Sequence, residues 1–192
     1  MDFGLIAASG WASGLNVYGA VLVLGLMGRF GGASLPDQLT STPVLVVAAV
    51  LYAVEFVADK IPYVDNAWDA VHTVIRPLAA GWVGLVLAGD AGLSEMLGAG
   101  SAGILSLAAH SAKATTRAAV NVSPEPVSNV GLSVLEDGLV AGLIALALAN
   151  PIVALVVVTV LAVAGVALVV VLWRAVARVW GRIAARTGAP GT

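Results

Sequence analysis

Residues 139–173 read LVAGLIALALANPIVALVVVTVLAVAGVALVVVLW, without one charged side chain. A membrane-spanning helix needs about 20 mostly apolar residues in a row. This stretch holds most of one such helix and all of the next, divided at Asn150-Pro151, where proline can open a helix but not continue one. The run is rich in Ala, Leu, Val and Gly and is continuous, without the period-2 alternation of a transmembrane barrel. It therefore predicts an all-α, polytopic membrane helix bundle.

Composition agrees along the whole chain. Of 192 residues, 60% are hydrophobic and 10% charged, and the mean hydropathy is +1.01. Soluble domains carry about 25% charged residues, so this chain could not cover a water-facing surface. The net charge of −2 says nothing about nucleic acid, and with no basic stripe or aromatic-basic platform present no nucleic-acid partner is expected. The absence of cysteine excludes disulfides, thiolate metal sites and thiol catalysis. The start, MDFGLIAASG, has no basic n-region, so residue 1 onward reads as mature protein.

Six segments qualify as spans: 3–28, 43–59, 64–89, 96–120, 126–149 and 151–173. Gly31-Gly32 with Pro36, then Pro62, Gly89–Gly92, Ser123-Pro124-Glu125-Pro126 and Asn150-Pro151 separate them. This defines one transmembrane domain over 1–173 and an arginine-rich tail over 174–192. Lys60, Lys113, Arg117, Arg174, Arg178, Arg182 and Arg186 fall on the side of the termini, whereas Arg29 stands alone opposite, near Asp37, Asp90 and Glu95. The positive-inside rule then makes both termini cytoplasmic. In the tail WRAVARVWGRIAAR (173–186), arginine recurs every fourth residue, a stripe that drifts only about 40° per step. It fits a topological anchor and, as partner, anionic lipid headgroups of the bilayer.

Against this background residues 55–77, EFVADKIPYVDNAWDAVHTVIRP, are dense in ionisable groups. Asp65, Asp69, His72 and Arg76 share one helix face at 0, +4, +7 and +11. Glu55 and Asp59 share another on the preceding helix. His110, Lys113, Arg117 and Asn121 repeat the pattern, and Asn129, Ser133 and Glu136, with Asp137, open the fifth span. Arg76 should lie about 18 Å, and Glu136 and Asp137 about 15 Å, from their proline turns, close to the midplane of a hydrocarbon layer about 30 Å thick. Intramembrane charges must face one another or water. Matching depth pairs Arg76 with Glu136 or Asp137, and four stripes from one side predict a water-accessible cytoplasmic vestibule that serves as a substrate or ion pathway.

Asp65, Asp69 and His72 are the metal candidates, with a divalent ion as the cofactor they would take; Glu55 and Asp59 with a further ligand are another set. No nucleophile elbow, H-E-x-x-H or phosphate loop is present. An offset of 64 aligns Pro62 with Pro126, Asp65 with Asn129, Asp69 with Ser133 and His72 with Glu136, as a parallel internal repeat of spans 2–3 and 4–5 would. Gly10/Gly14 and Gly138/Gly142 are G-x-x-x-G pairs, which suit helix packing within the chain or in a homodimer.

SGLNVY (13–18), EFVADKIPYVDNAWDAVHTVIRPLAAG (55–81), HSAKATTRAAVN (110–121) and SNVGLSVLEDG (128–138) resemble the bacterial membrane family catalogued as domain of unknown function 4126. The similarity covers roughly residues 5–150. It implies a multi-span protein of the bacterial inner membrane and supplies no activity. The residues themselves favour a transport protein, a channel or small secondary transporter, for a cation or coupled to protons. The alternative is lipid- or polyprenyl-phosphate handling, with Arg76, Lys113 and Arg117 on the phosphate. An interfacial enzyme using Asp69 and His72 comes third.

Overall fold

The computed structural model describes residues 3–120 and 126–187. Seven helices follow in order: α1 (Phe3–Phe30), α2 (Asp37–Thr40), α3 (Thr42–Ala58), α4 (Pro62–Asp90), α5 (Glu95–Val120), α6 (Pro126–Ala149) and α7 (Pro151–Thr187). No strand occurs among the described residues. Each of the six expected segments is a helix. The one-turn α2 is an addition, and α7 continues past 173 into the tail. Asn121 and the turn Ser123-Pro124-Glu125 lie outside the described residues, as does the side chain of Arg186.

The punctuation acts through known backbone limits. Proline opens α4, α6 and α7 and sits in the first turn of α3, positions where its missing N–H is not needed. Gly32 (φ +73°) and Gly92 (φ +68°) take left-handed conformations at the turns after α1 and α4, which cost a side-chain-bearing residue more.

Four helices are long and apolar enough to cross a membrane: Phe3–Phe30, Tyr63–Asp90, Val127–Ala149 and Pro151–Arg182. These mark the chain as a membrane protein. The apolar α3 is shorter, at 17 residues. α5 has the length, but its polar residues keep it out of that set.

α1 is the central post, packed against α3, α4, α5, α6 and α7. Small residues bring the backbones together. A Cβ on Gly10 would strike Ala102, one on Gly14 would strike the Ser106 carbonyl of α5, and Gly84 of α4 meets Gly98 of α5 in the same way. The Gly10/Gly14 face is thus occupied within the chain. Gly138 and Gly142 have nothing within 4 Å and stay open. Leu24, Val83, Leu87 and Ile144, all fully buried, fill the half of the bundle away from the α3–α4 turn. By contrast α3 leans on α1 and barely meets α4.

Candidate functional site

The other half of the bundle is charged. Arg76 lies midway along α4, about 21 Å from either end at 1.5 Å per residue. Its Nη2 donates to Glu55 Oε1 of α3 at 2.8 Å and its Nη1 to Asp69 Oδ1 at 3.0 Å. From α5, Lys113 Nζ reaches Asp59 Oδ2 at 2.8 Å, Glu136 Oε2 at 3.4 Å and Glu55 Oε1 at 3.8 Å. Arg117 grips Glu136 of α6 with two nitrogens, Nε at 3.2 Å and Nη2 at 2.6 Å. Its Nη1 also donates to Asn129 Oδ1 and to the Asp59 carbonyl, and lies 3.5 Å from Asp65 Oδ1. Forked arginine–carboxylate pairs of this kind combine charge with fixed orientation.

The two histidines complete the network, and their partners fix their protons. Arg76 Nη1 donates to His110 Nδ1 at 2.6 Å. Because arginine only donates, that ring is neutral, with its hydrogen on Nε2 facing Thr73 Oγ1 at 3.0 Å. His72 Nδ1 lies 2.8 Å from the Trp68 carbonyl, an acceptor only, while Nε2 lies 3.0 Å from the Tyr18 hydroxyl. Trp68 stacks on the same ring at 4.5 Å.

α1 is not continuous at this level. Asn16 is extended (φ −153°, ψ 100°) and divides the helix into two halves. Its Oδ1 accepts from Gly19 N at 2.8 Å, capping the second half, and its Nδ2 donates to Asp137 Oδ1 at 3.1 Å. The carbonyls at the end of the first half take cations: Gly14 O accepts from Arg76 Nη1 at 3.4 Å and Leu15 O from Lys113 Nζ at 3.0 Å. A helix C-terminus carries partial negative charge, so the two buried cations sit where that charge ends.

The stripes therefore meet, but not as expected. Arg76 pairs with Glu55 and Asp69 rather than with Glu136 or Asp137. Glu136 belongs to Arg117, and Asp137 to Asn16. The four stripes do not line an open vestibule either. Glu55, Asp65, Arg76, Arg117 and Asn129 are 0% exposed, and Ser133, His72, His110, Asp59, Lys113, Asp69 and Glu136 lie between 1 and 7%. Depth alone proposed the wrong pairs because it fixes position along a helix, not which helices are neighbours. Among the described residues no three His, Cys, Asp or Glu side chains gather as a metal-ligand set. The candidates Asp65, Asp69 and His72 are instead engaged separately by Arg117, Arg76 and Tyr18.

Lys60, in the α3–α4 turn, closes the charged half. Its Nζ donates to the Phe56 carbonyl at 2.7 Å and to Ser133 Oγ at 3.2 Å. Partial burial pushes its ammonium below the usual lysine value, against the pull of Asp137 and Asp59. The break at Asn16 was the feature least visible in sequence. Its signal was a side-chain amide between Gly14 and Gly19, in a span whose other polar side chains are the hydroxyls of Ser9, Ser13 and Tyr18 and the terminal Arg29.

Apolar on one half and charged on the other, the bundle is a membrane helix domain with an ionic core. A sequence model described as "Domain of unknown function (DUF4126)" matches residues 3–175, and the chain belongs to that family. The match reaches further at the C-terminus than the resemblance over 5–150 indicated. Searches of the curated proteins and of the solved structures give no match.

Proposed function

We propose that this chain is a six-span transport protein of the bacterial inner membrane, with both termini cytoplasmic, that moves a cation or couples to protons. The observation carrying this reading is the ionic core itself. Charged side chains from α3, α4, α5 and α6 converge on a break in α1, at mid-helix depth and closed from solvent. Interrupted spans that end at buried charges are parts that transporters use to hold ions, and intramembrane ionisable groups are costly enough to be a functional signal. The closed arrangement is an occluded state, with Leu24, Val83, Leu87 and Ile144 sealing the far half.

Sidedness rests on fewer residues than the sequence offered, because Lys113 and Arg117 are consumed by the core. Lys60, Arg174, Arg178 and Arg182 remain on one side against Arg29, which keeps the termini cytoplasmic. The exposed arginines of α7 would contact anionic headgroups. The parallel repeat gains one support: Asp65 and Asn129, the pair aligned by the 64-residue offset, both face Arg117 Nη1.

Flux into proteoliposomes, measured for protons and a panel of monovalent and divalent cations, tests the reading. Transport above that of protein-free vesicles is expected, and its absence for every ion would remove it. Lipid handling is the second reading, favoured by open apolar grooves of about 330 and 610 Å³ along the α3–α4 seam beside the core. Movement of a labelled lipid phosphate across the same vesicles, without ion flux, would select it.

A further inference from the structure

Carboxylates outnumber cations in the buried core. Among the described residues Glu55, Asp59, Asp65, Asp69 and Glu136 face Arg76, Lys113 and Arg117, a formal excess of two negative charges. His110 cannot offset it, because the hydrogen it receives from Arg76 leaves its ring neutral. Unbalanced charge is costly in hydrocarbon, and the carboxylates do not converge on a shared multivalent site. The excess is met one carboxyl at a time, which is how protons bind.

Glu55 is the carboxyl best placed to take one. Asp59 and Glu136 each have two cations within 4 Å. Glu55 also has two, but only Arg76 is at hydrogen-bond distance and Asp69 shares it; Lys113 Nζ stands off at 3.8 Å, and Glu55 Oε2 is buried without a hydrogen-bond partner. The ionisable groups around it are Tyr18 of α1, Tyr52 and Asp59 of its own helix, Asp69, His72 and Arg76 of α4, and His110 and Lys113 of α5, with Glu136 of α6 beyond Lys113. Because Asp69 lies on the same helix as Arg76, Glu55 can be neutralised without leaving the guanidinium unpaired.

We propose that Glu55 is a proton-binding site that latches α3 to α4. As the carboxylate it holds Arg76. A proton added to it from the aqueous side cancels the attraction, Arg76 stays with Asp69, and the α3–α4 seam opens. The seam is thinly packed: α3 lies on α1 and barely meets α4, and two open apolar grooves run along it, one lined by Leu51, Ala79 and Trp82, the other by Val57, Val64 and Trp68. Asp59, one turn beyond Glu55 and tied to Lys113 and Arg117, is the pivot. This deepens the transport reading by naming the group that couples protons to access.

The chain has no cysteine to remove, so spin labels at Val50→Cys and Leu78→Cys, both exposed positions on α3 and α4, can report the seam by electron-spin distance measurement in nanodiscs. The distance should lengthen by several Å between alkaline and acidic pH, while a pair at Leu78 and Ile104, on α4 and α5, stays fixed. Glu55→Gln should hold the long distance at both pH values. Asp69→Asn, which removes the fallback partner of Arg76, should move the transition to more acidic pH. A distance that ignores pH in the otherwise unchanged chain overturns the latch even if Glu55→Gln does not fold. So does a transition that survives Glu55→Gln, or one that also moves the α4–α5 pair. These distances need no flux: a rigid seam with ion transport removes the latch alone, and a moving seam without transport removes the transport reading alone.

Discussion

The Arg76 guanidinium meets the Glu55 carboxylate at 2.8 Å with neither side chain exposed, and Asp69 holds the same guanidinium at 3.0 Å. Removing one member of such a group leaves an uncompensated buried charge, at a cost of about 3–5 kcal/mol. Arg76→Ala should therefore lower the melting temperature in detergent sharply. Adding Glu55→Gln should restore part of the loss, whereas adding Asp137→Asn should restore none. Equal rescue by both would mean that the pairing is wrong.

Burial of the stripes sets an accessibility pattern. Single cysteines at positions 69, 72 and 133 should resist a membrane-impermeant thiol reagent in inside-out vesicles while the core is closed, since the native residues there are at most 4% exposed. Combining each with Glu55→Gln should speed labelling at 72. Rapid labelling at all three without that change would restore the open vestibule.

Pairing was harder to read than helix position, for a physical reason. Proline at position 62 and the glycines at 89 and 92 act on their own backbone, so α4 could be bounded from the sequence alone. The choice of Glu55 over Glu136 for Arg76 depends on α3 and α4 both lying against α1, a relation among three helices that no local pattern encodes. Likewise a polar stripe looks the same whether it faces water or another stripe. That Asp65, Asp69, His72, Lys113 and Arg117 belong to one site was legible, because lipid excludes all of them alike.

Two glycine positions should respond in opposite ways. Gly14→Ala would place a methyl group against the Ser106 carbonyl and Ala109 Cβ, forcing α1 from α5, and should cost about 1–3 kcal/mol as an overpacked contact. At Gly142 nothing lies within 4 Å, so Gly142→Ala should be neutral or gain up to about 1 kcal/mol from helix propensity. Thermal melts of the pair check both signs.

At the α1 break, Asn16→Ala removes the cap on Gly19 N and the tie to Asp137. Losing a cap alone costs about 1–2 kcal/mol. Asn16→Ser should recover the cap but not the tie and fall between alanine and the native chain. An Asn16→Ala variant as stable as the native chain would indicate an uninterrupted helix.

Orientation is tested by fusions. A reporter active in the cytoplasm should work at the C-terminus and a periplasmic one near Gly92, between α4 and α5. The reverse pattern would place the charged half on the outer side.

α5 has a consequence for how the protein is made. It is not among the helices apolar enough to enter a bilayer unaided, and it carries Lys113 and Arg117. Released alone from the translocon, it would favour the aqueous side. α4, which closes on it through the Gly84–Gly98 contact, and the acids of α3, made earlier in the chain, supply the company it requires. Insertion of α5 should therefore be collective: α1 and α4 are apolar enough to enter by themselves, whereas α5 should integrate when α3 and α4 precede it and fail to integrate when it is presented to the translocon without them.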